Sequence, residues 1–99
     1  MIKTLCIETS CDDTSVGIVT YDDGSWACPI LKMYSQISEH QQYGGVVPEI
    51  AYRLHEEKIV QLVEEIGYDE IRSCDCIAVT LTPGLPGSLV VGNTVASML

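Results

Sequence analysis

Apolar and polar positions divide this chain into strands at the front and helices behind. Lys3-Thr4-Leu5-Cys6-Ile7 is a short, largely apolar run and predicts a strand buried on both faces. Thr14 to Tyr21 alternates, with Val16, Ile18 and the ring of Tyr21 set against Ser15, Gly17 and Thr20; Val19 breaks the strict period. Asp22-Asp23-Gly24 is a hairpin signal, because glycine supplies the positive φ of primed turns. Trp26 to Tyr34 returns as a third strand. Pro29 inside it predicts an edge position or a bulge, since proline cannot donate to a ladder. The first third therefore reads as a three-stranded antiparallel meander.

Ser35 to Val47 is polar and without a clean period, which predicts an irregular segment bending at Gly44-Gly45. Pro48 suits the first position of a helix, and Glu49 places a negative charge near its N-terminus. The helix is predicted to run to about Ile66 and to stop at Gly67. Its apolar residues, Ile50, Ala51, Tyr52, Leu54, Ile59, Val60, Leu62, Val63 and Ile66, cover roughly half the circumference at ~100° per residue. That width fits either one face on a sheet with a side in a crevice, or a second face kept for a partner's helix. Tyr68 to Ser73 reads as a short acidic connection. Cys76 to Leu81 is near-continuously apolar, as for a central strand. Thr82 to Ser88 is a turn rich in Gly and Pro, and helical pattern resumes from Leu89. No capping signal precedes Leu99, so the expectation is the first part of a longer polypeptide.

Composition narrows the class. The 99 residues suffice for one small domain, and 46% are apolar. One Trp, five Tyr and no Phe leave the core to aliphatic residues. No apolar run approaches the ~18–20 residues of a membrane span, and the N-terminus lacks a signal peptide's order of residues. A cytoplasmic protein with no membrane contact is expected. Cys6, Cys11, Cys28, Cys74 and Cys76 are odd in number and show no disulfide spacing; C-x-C is not the C-x-x-C of zinc or redox sites, so buried reduced thiols are expected. The formal net charge is −9, and the five Lys and Arg form no cluster. Any contact with RNA would need basic surface elsewhere or on a partner.

Two loops carry candidate chemistry. In the first, the hydroxyls of Thr9, Ser10 and Thr14 and the N–H groups of a tight turn can donate to phosphate oxygens. Asp12 and Asp13 would repel bare phosphate. They fit better as magnesium-water ligands, as holders of a ribose or amino group, or simply as turn formers bonding their own backbone. The second loop, Pro83-Gly84-Leu85-Pro86-Gly87-Ser88, precedes a helix whose N-terminus can meet an anion, or it is a plain connection. It matches neither common phosphate-loop pattern. Cys11 as a nucleophile would need a base, and spacing brings neither His40 nor His55 to it. Both histidines default to solvent-facing or hydrogen-bonding roles and are too far apart to read as a metal pair. The element order predicts an α/β fold. Three antiparallel strands followed by helix, strand and helix open an actin-like ATPase, or ribonuclease H-like, half-domain, whose first hairpin cradles phosphates.

Ile7-Glu8-Thr9-Ser10-Cys11-Asp12-Asp13-Thr14 resembles the I-E-T-S-C-D-E-T motif of the tRNA threonylcarbamoyladenosine transferase family (TsaD, long called Gcp or O-sialoglycoprotein endopeptidase). Ser35-Gln36, His40, Tyr43 to Ala51, Arg53 and His55 look like its bacterial signature. Ala78-Val79-Thr80, Pro83-Gly84-Leu85, Gly87 and Val91-Gly92 look like its V-T-x-G-P-G-L-x-G-x-L-x-V-G segment. Asp13 stands where the family usually has Glu, and Thr82 where it usually has Gly; a glycine of positive φ there would leave Thr82 strained.

The resemblance implies an actin-like (ASKHA) fold of which residues 1–99 are the N-terminal part of subdomain I. It implies transfer of the threonylcarbamoyl group from threonylcarbamoyl-AMP to N6 of the adenosine beside the anticodon in tRNAs reading codons that begin with A. Glu8, Asp12 and Asp13 would be catalytic. Thr9, Ser10, Cys11, Thr14, Gly84 and Gly87 would contact threonylcarbamoyl-AMP or an ATP-like nucleotide. The family's iron or zinc is held by an H-x-x-x-H pair and a distant Asp expected after Leu99, so no metal ligand is assigned here and the fragment is expected to be inactive alone. The implied partners are a smaller homologue (TsaB) on the 48–66 helix, tRNA, or a second copy of the fragment through the same face. The alternatives are a non-catalytic scaffold like that homologue, which typically lacks the S-C-D-D-T loop and the Y-G-G-V-V-P-E-I-A segment, and another actin-like ATPase or sugar-kinase half-domain. Nothing in the residues supports peptide hydrolysis.

Overall fold

Leu5 and Ile7 alternate with Thr4, Cys6 and Glu8, and this alternation aims the first strand's apolar side at a helix. The computed structural model describes residues 1–99. Three strands open it: β1 (Ile2–Glu8), β2 (Asp13–Asp22) and β3 (Ser25–Ser35). Two short helical turns follow, α1 (Ile37–His40) and a 3-10 turn (Gln41–Tyr43), then α2 (Pro48–Ile66) and α3 (Tyr68–Arg72). The last elements are β4 (Cys76–Val79) and α4 (Pro86–Met98). The four strands form one sheet in the order β3-β2-β1-β4, with β4 parallel to β1 and the other pairs antiparallel.

The hairpin turns at Asp23 and Gly24, both at positive φ. Between Ile18 and Thr20 the register shifts, so that Cys28 and Pro29 oppose the single residue Val19. Pro29 thus lies in a bulge on an edge strand, the two places where a missing N–H does least harm. Helix α2 begins at Pro48 after an extended Val47 and ends where Gly67, at φ 94°, donates its N–H to Val63 O.

The core joins Leu5 and Ile7 of β1 and Val16 and Ile18 of β2 to Ile59, Leu62, Val63 and Ile66 of α2, with Ile71 and Val91 completing it. Leu5 pairs with Ile18, and Ile7 with Val16, so one sheet face is continuously apolar. All the buried sheet residues of this core lie on that face. The expectation of burial on both faces of β1 is corrected: Leu31 and Met33, on the opposite face, stay exposed.

β4 corrects a second expectation. It is an edge strand of four residues, and Leu81 lies beyond it in the open. Its apolar run reads as central, but nothing pairs with its outer side. The 35–47 segment is largely helical turn, and the acidic connection is a one-turn helix held by buried Ile71. Helix α4 starts at Pro86, because proline fits the first turn as readily as it fits a loop. Part of the apolar width of α2 is taken up within the chain, where Tyr52, Ile59 and Val60 line a groove of about 230 Å³ against Val90, Val91 and Val95 of α4. All five cysteines are free, and Cys28 and Cys76, expected to be buried, are exposed on the two edge strands. No helix is long and apolar enough to cross a membrane.

A sheet buried on one face makes a sharp contrast. Leu5→Ala is expected to lower unfolding free energy by about 2–5 kcal/mol, and Leu31→Ala by less than about 0.5 kcal/mol. Urea denaturation measures both, and equal losses would contradict one-sided burial.

Candidate functional site

The loop from Thr9 to Asp12 leaves β1 and turns back into β2, and its backbone must find donors for its carbonyls. Three successive carbonyls find them in three different elements. Ser10 O accepts the Leu85 N–H at 2.8 Å, from the turn before α4. Cys11 O accepts the His55 Nε2–H at 3.0 Å, from α2. Asp12 O accepts the Gln36 N–H at 2.9 Å, from the segment after β3. The N–H groups of Cys11 and Asp12 have no partner in the protein.

Side chains fix both ends of the loop. Thr9 is buried, and its hydroxyl donates to Ser88 O at 2.7 Å while accepting the Gly92 N–H at 3.1 Å. Those two groups are four residues apart in α4, so Thr9 sits within that helix's own hydrogen-bond row. A Cβ on Gly92 would lie 2.6 Å from Thr9 Oγ1, which is why the position takes glycine. Glu8 holds Ser10 with both carboxylate oxygens, accepting its N–H at 2.8 Å and its hydroxyl at 2.9 Å. At the other end, the buried Thr14 hydroxyl meets His55 Nδ1 at 2.7 Å.

His55 is fully buried on α2. A carbonyl can only accept, so Nε2 carries the proton toward Cys11, and Nδ1 accepts from Thr14. Burial holds its pKa below the ordinary 6.5, against the opposing pull of the Cys11 carbonyl and of Glu8, Asp12 and Asp13. His40 forms a parallel arrangement. Its Nδ1 accepts the Val47 N–H at 3.1 Å, and its Nε2–H donates to Gln36 Oε1 at 2.8 Å. Gln36 Nε2 in turn donates to Ala51 O at 3.3 Å, in the first turn of α2. The residue whose N–H holds Asp12 is thus itself buried and braced.

Sequence reasoning placed Gln36, His40 and His55 in a family signature but gave them no part in the site. Of the solvent-facing and hydrogen-bonding roles expected for the two histidines, both take the hydrogen-bonding one, and the structure does bring His55 to Cys11, through the main chain. Four-residue spacing between Ala51 and Ile59 places His55 on the buried stripe of α2, a signal present in the sequence. Thr9 and Thr14 also need correction as ligand donors: both are buried and both hydroxyls are engaged within the protein. Gly84 serves close approach, since a Cβ there would lie 2.6 Å from Ser10 O. Gly87 has only ordinary contact with Tyr52 at 3.6 Å. Thr82 is not at positive φ, so the strain anticipated there does not arise; it joins Pro83 through a cis peptide.

Glu8, Ser10, Cys11, Asp12 and Asp13 are half-buried, and Glu8, Asp12 and Asp13 lie close enough to act on the Cys11 thiol. Asp13 Oδ1 is buried without a hydrogen-bond partner, an arrangement that calls for a donor. A cleft of about 380 Å³ adjoins Asp12, bounded by Ile37, Gln41, Gly44, Gly45 and Val46. Burial and then the neighbouring Asp12, Glu8 and Asp13 push the Cys11 thiol up, which opposes nucleophilic use at neutral pH. No three or more His, Cys, Asp or Glu side chains converge to hold a metal ion, so the chain's own residues do not fit iron or zinc and no chemistry is routed through one.

The four-stranded sheet with helices against one face, and a pinned loop between its first two strands, is an α/β arrangement of the actin-like fold. Two solved structures share this fold. YeaZ from Pseudomonas aeruginosa matches with TM-score 0.59 at 20% identity, over 99% of this chain and 38% of its own. The Aquifex aeolicus PPX-GPPA enzyme matches with TM-score 0.53 at 11% identity, over 79% and 25%. The family model for TsaD, tRNA N6-adenosine threonylcarbamoyltransferase, matches residues 30–99, and the chain belongs to that family. A relative of that name from Prochlorococcus marinus (strain MIT 9303) is 39% identical over 102 residues, covering the whole of this chain and 29% of the relative. One from Leptospira interrogans (strain Fiocruz L1-130) is 50% identical over 93 residues, covering 91% and 27%. The chain therefore spans less than a third of these relatives' length.

Two outcomes follow from the anchoring groups. Gly92→Ala is expected to destabilise the protein by about 1–3 kcal/mol, because the new methyl group displaces the Thr9 hydroxyl; thermal melting measures it. The lowered pKa of His55 means that its contribution is complete above the ordinary 6.5 and is lost as pH falls from there through the folded value. Melting temperature should fall as pH drops below the ordinary 6.5, and His55→Gln should remove that part of the dependence. An unchanged profile in the variant would assign the pH effect to other groups.

Proposed function

We propose that this chain forms one wall of an adenylate-binding cleft in an enzyme that transfers the threonylcarbamoyl group from threonylcarbamoyl-AMP to N6 of an adenosine in tRNA. The observation that carries the reading is the orientation of the first loop. Its carbonyls at Ser10, Cys11 and Asp12 are engaged within the protein, while the N–H groups of Cys11 and Asp12 have no protein partner. A loop with carbonyls inward and amides free suits a phosphate oxygen. Family membership and relatives that carry the transferase name support the choice of reaction.

In this reading Ser10, Cys11 and the turn at Gly84 and Gly87 border the adenylate. The N6 amine attacks the carbamoyl carbon, the new C–N bond forms as the C–O bond to phosphate breaks, and AMP leaves. Asp12 accepts the proton released by the amine, as a general base on the open side of the loop. Glu8 orients Ser10 through the two hydrogen bonds it already makes. Asp13 meets a donor from the ligand or a hydrated cation.

With a net charge of −9, tRNA binding falls to other surfaces of the longer enzyme or to a partner. The apolar groove between α2 and α4 suits a helix of a smaller homologue of the TsaB type, and in its absence a second copy of this chain. An enzyme acting on tRNA with an adenylate belongs in the cytoplasm.

In a full-length protein carrying this segment, Asp12→Ala should abolish tRNA modification while unfolding free energy stays within about 0.5 kcal/mol. Mass spectrometry of the tRNA nucleosides reads the product, and modification at the parent level would overturn the role of Asp12. The 99-residue chain given threonylcarbamoyl-AMP and tRNA should yield no product. Turnover by this chain alone would refute a site completed by residues beyond it.

A further inference from the structure

We propose that His55 is a positioning residue, which sets the orientation of Asp12 and Asp13 by holding the main chain on one side of them and Thr14 on the other. The inference rests on the reading of the loop as a ligand wall and deepens it. Both ring nitrogens of His55 are engaged with the loop and its exit, Nε2 with Cys11 O at 3.0 Å and Nδ1 with the Thr14 hydroxyl at 2.7 Å. Neither nitrogen bonds α2, the helix that carries the ring, nor β1 or β3. A histidine that only filled the core would not direct both polar atoms at one four-residue stretch.

The geometry gives His55 a role that the other ties do not share. Ser10 O and Asp12 O are held by the backbone N–H groups of Leu85 and Gln36, which any side chain at those positions would supply. Cys11 O, between them, is held by a side chain. A planar ring carries the tie, so the spacing between Cys11 O and the Thr14 hydroxyl is fixed by covalent geometry. Asp12 and Asp13 lie within that span. The backbone that carries their carboxylates is then held relative to the free N–H groups of Cys11 and Asp12 before any ligand arrives, and this preorganisation is what a phosphate site needs. The ring is fully buried on a helix whose neighbours Ala51 and Ile59 are also buried, so its own position is fixed by packing.

The test separates loop order from ligand binding. Amide hydrogen exchange of the ligand-free chain reports the loop through Gln36 and Leu85, whose N–H groups are bonded to Asp12 O and Ser10 O. In His55→Leu those two amides are expected to exchange about tenfold faster, while the β1–β2 ladder stays within about twofold. His55→Gln, which keeps a donor for Cys11 O, should restore exchange to within about threefold of the parent. ATP with magnesium, titrated by calorimetry, should bind about tenfold more weakly to His55→Leu and recover with His55→Gln. Unchanged exchange at Gln36 and Leu85 in a His55→Leu chain with an intact ladder would overturn the proposal. If His55→Leu loses the ladder as well, Thr14→Val takes its place, and it too must loosen Gln36 without loosening the ladder. Failure of the parent chain to bind ATP counts against the adenylate reading, while the exchange result still decides the role of His55.

Discussion

A tight, part-buried loop between two strands has carbonyls that need donors, and three elements of this structure converge to supply them. Ser10, Cys11 and Asp12 draw one donor each from the α4 turn, from α2 and from the segment after β3. Those elements are distant in sequence, so the three ties come together only in the folded chain. The same requirement explains two close approaches. Gly84 lets its turn reach Ser10 O, and Gly92 lets α4 accept the Thr9 hydroxyl into its backbone row. With the carbonyls turned inward, amides and carboxylates are what the loop has left to offer.

Docking depends on an apolar face supplied by alternation in β1 and β2. Leu5, Ile7, Val16 and Ile18 meet a stripe on α2 that runs from Ala51 to Ile66. His55 interrupts that stripe with a polar ring at the point where the loop begins. Burying an imidazole is unfavourable unless both nitrogens are bonded, and here the loop provides both partners. The core and the candidate site are therefore continuous, and the helix that stabilises the sheet also fixes the loop.

Charge and chemistry on the open side fit this arrangement. Glu8, Asp12 and Asp13 stand close enough to oppose ionisation of the Cys11 thiol. The half-buried Asp13 leaves one carboxylate oxygen without a partner. Carboxylates beside free amides are a mixed surface, and the adenylate ligand proposed above, with ribose hydroxyls and a hydrated cation, would match both kinds of group.

By itself the sequence determined the meander, the edge or bulge position of Pro29 and the long helix from Pro48 to Gly67, and it singled out the first loop as the candidate for chemistry. These depend on local terms: alternation, proline and glycine backbone limits, and residue types within a few positions of each other. It also carried motifs distinctive enough to point to the family before any helix was placed. Only the tertiary structure decided that Thr9 and Thr14 face inward, that His55 reaches Cys11, that Gln36 and His40 brace Asp12, and that β4 is an edge. Most of those depend on a hydrogen bond or a strand pairing between residues 15 to 83 positions apart, or on which side of a strand lies open; the His40 bonds to Gln36 and Val47 are shorter in range but need the bend that the 35–47 segment takes. Local pattern shows that a hydroxyl or an imidazole can bond; the packing of distant elements selects its partner.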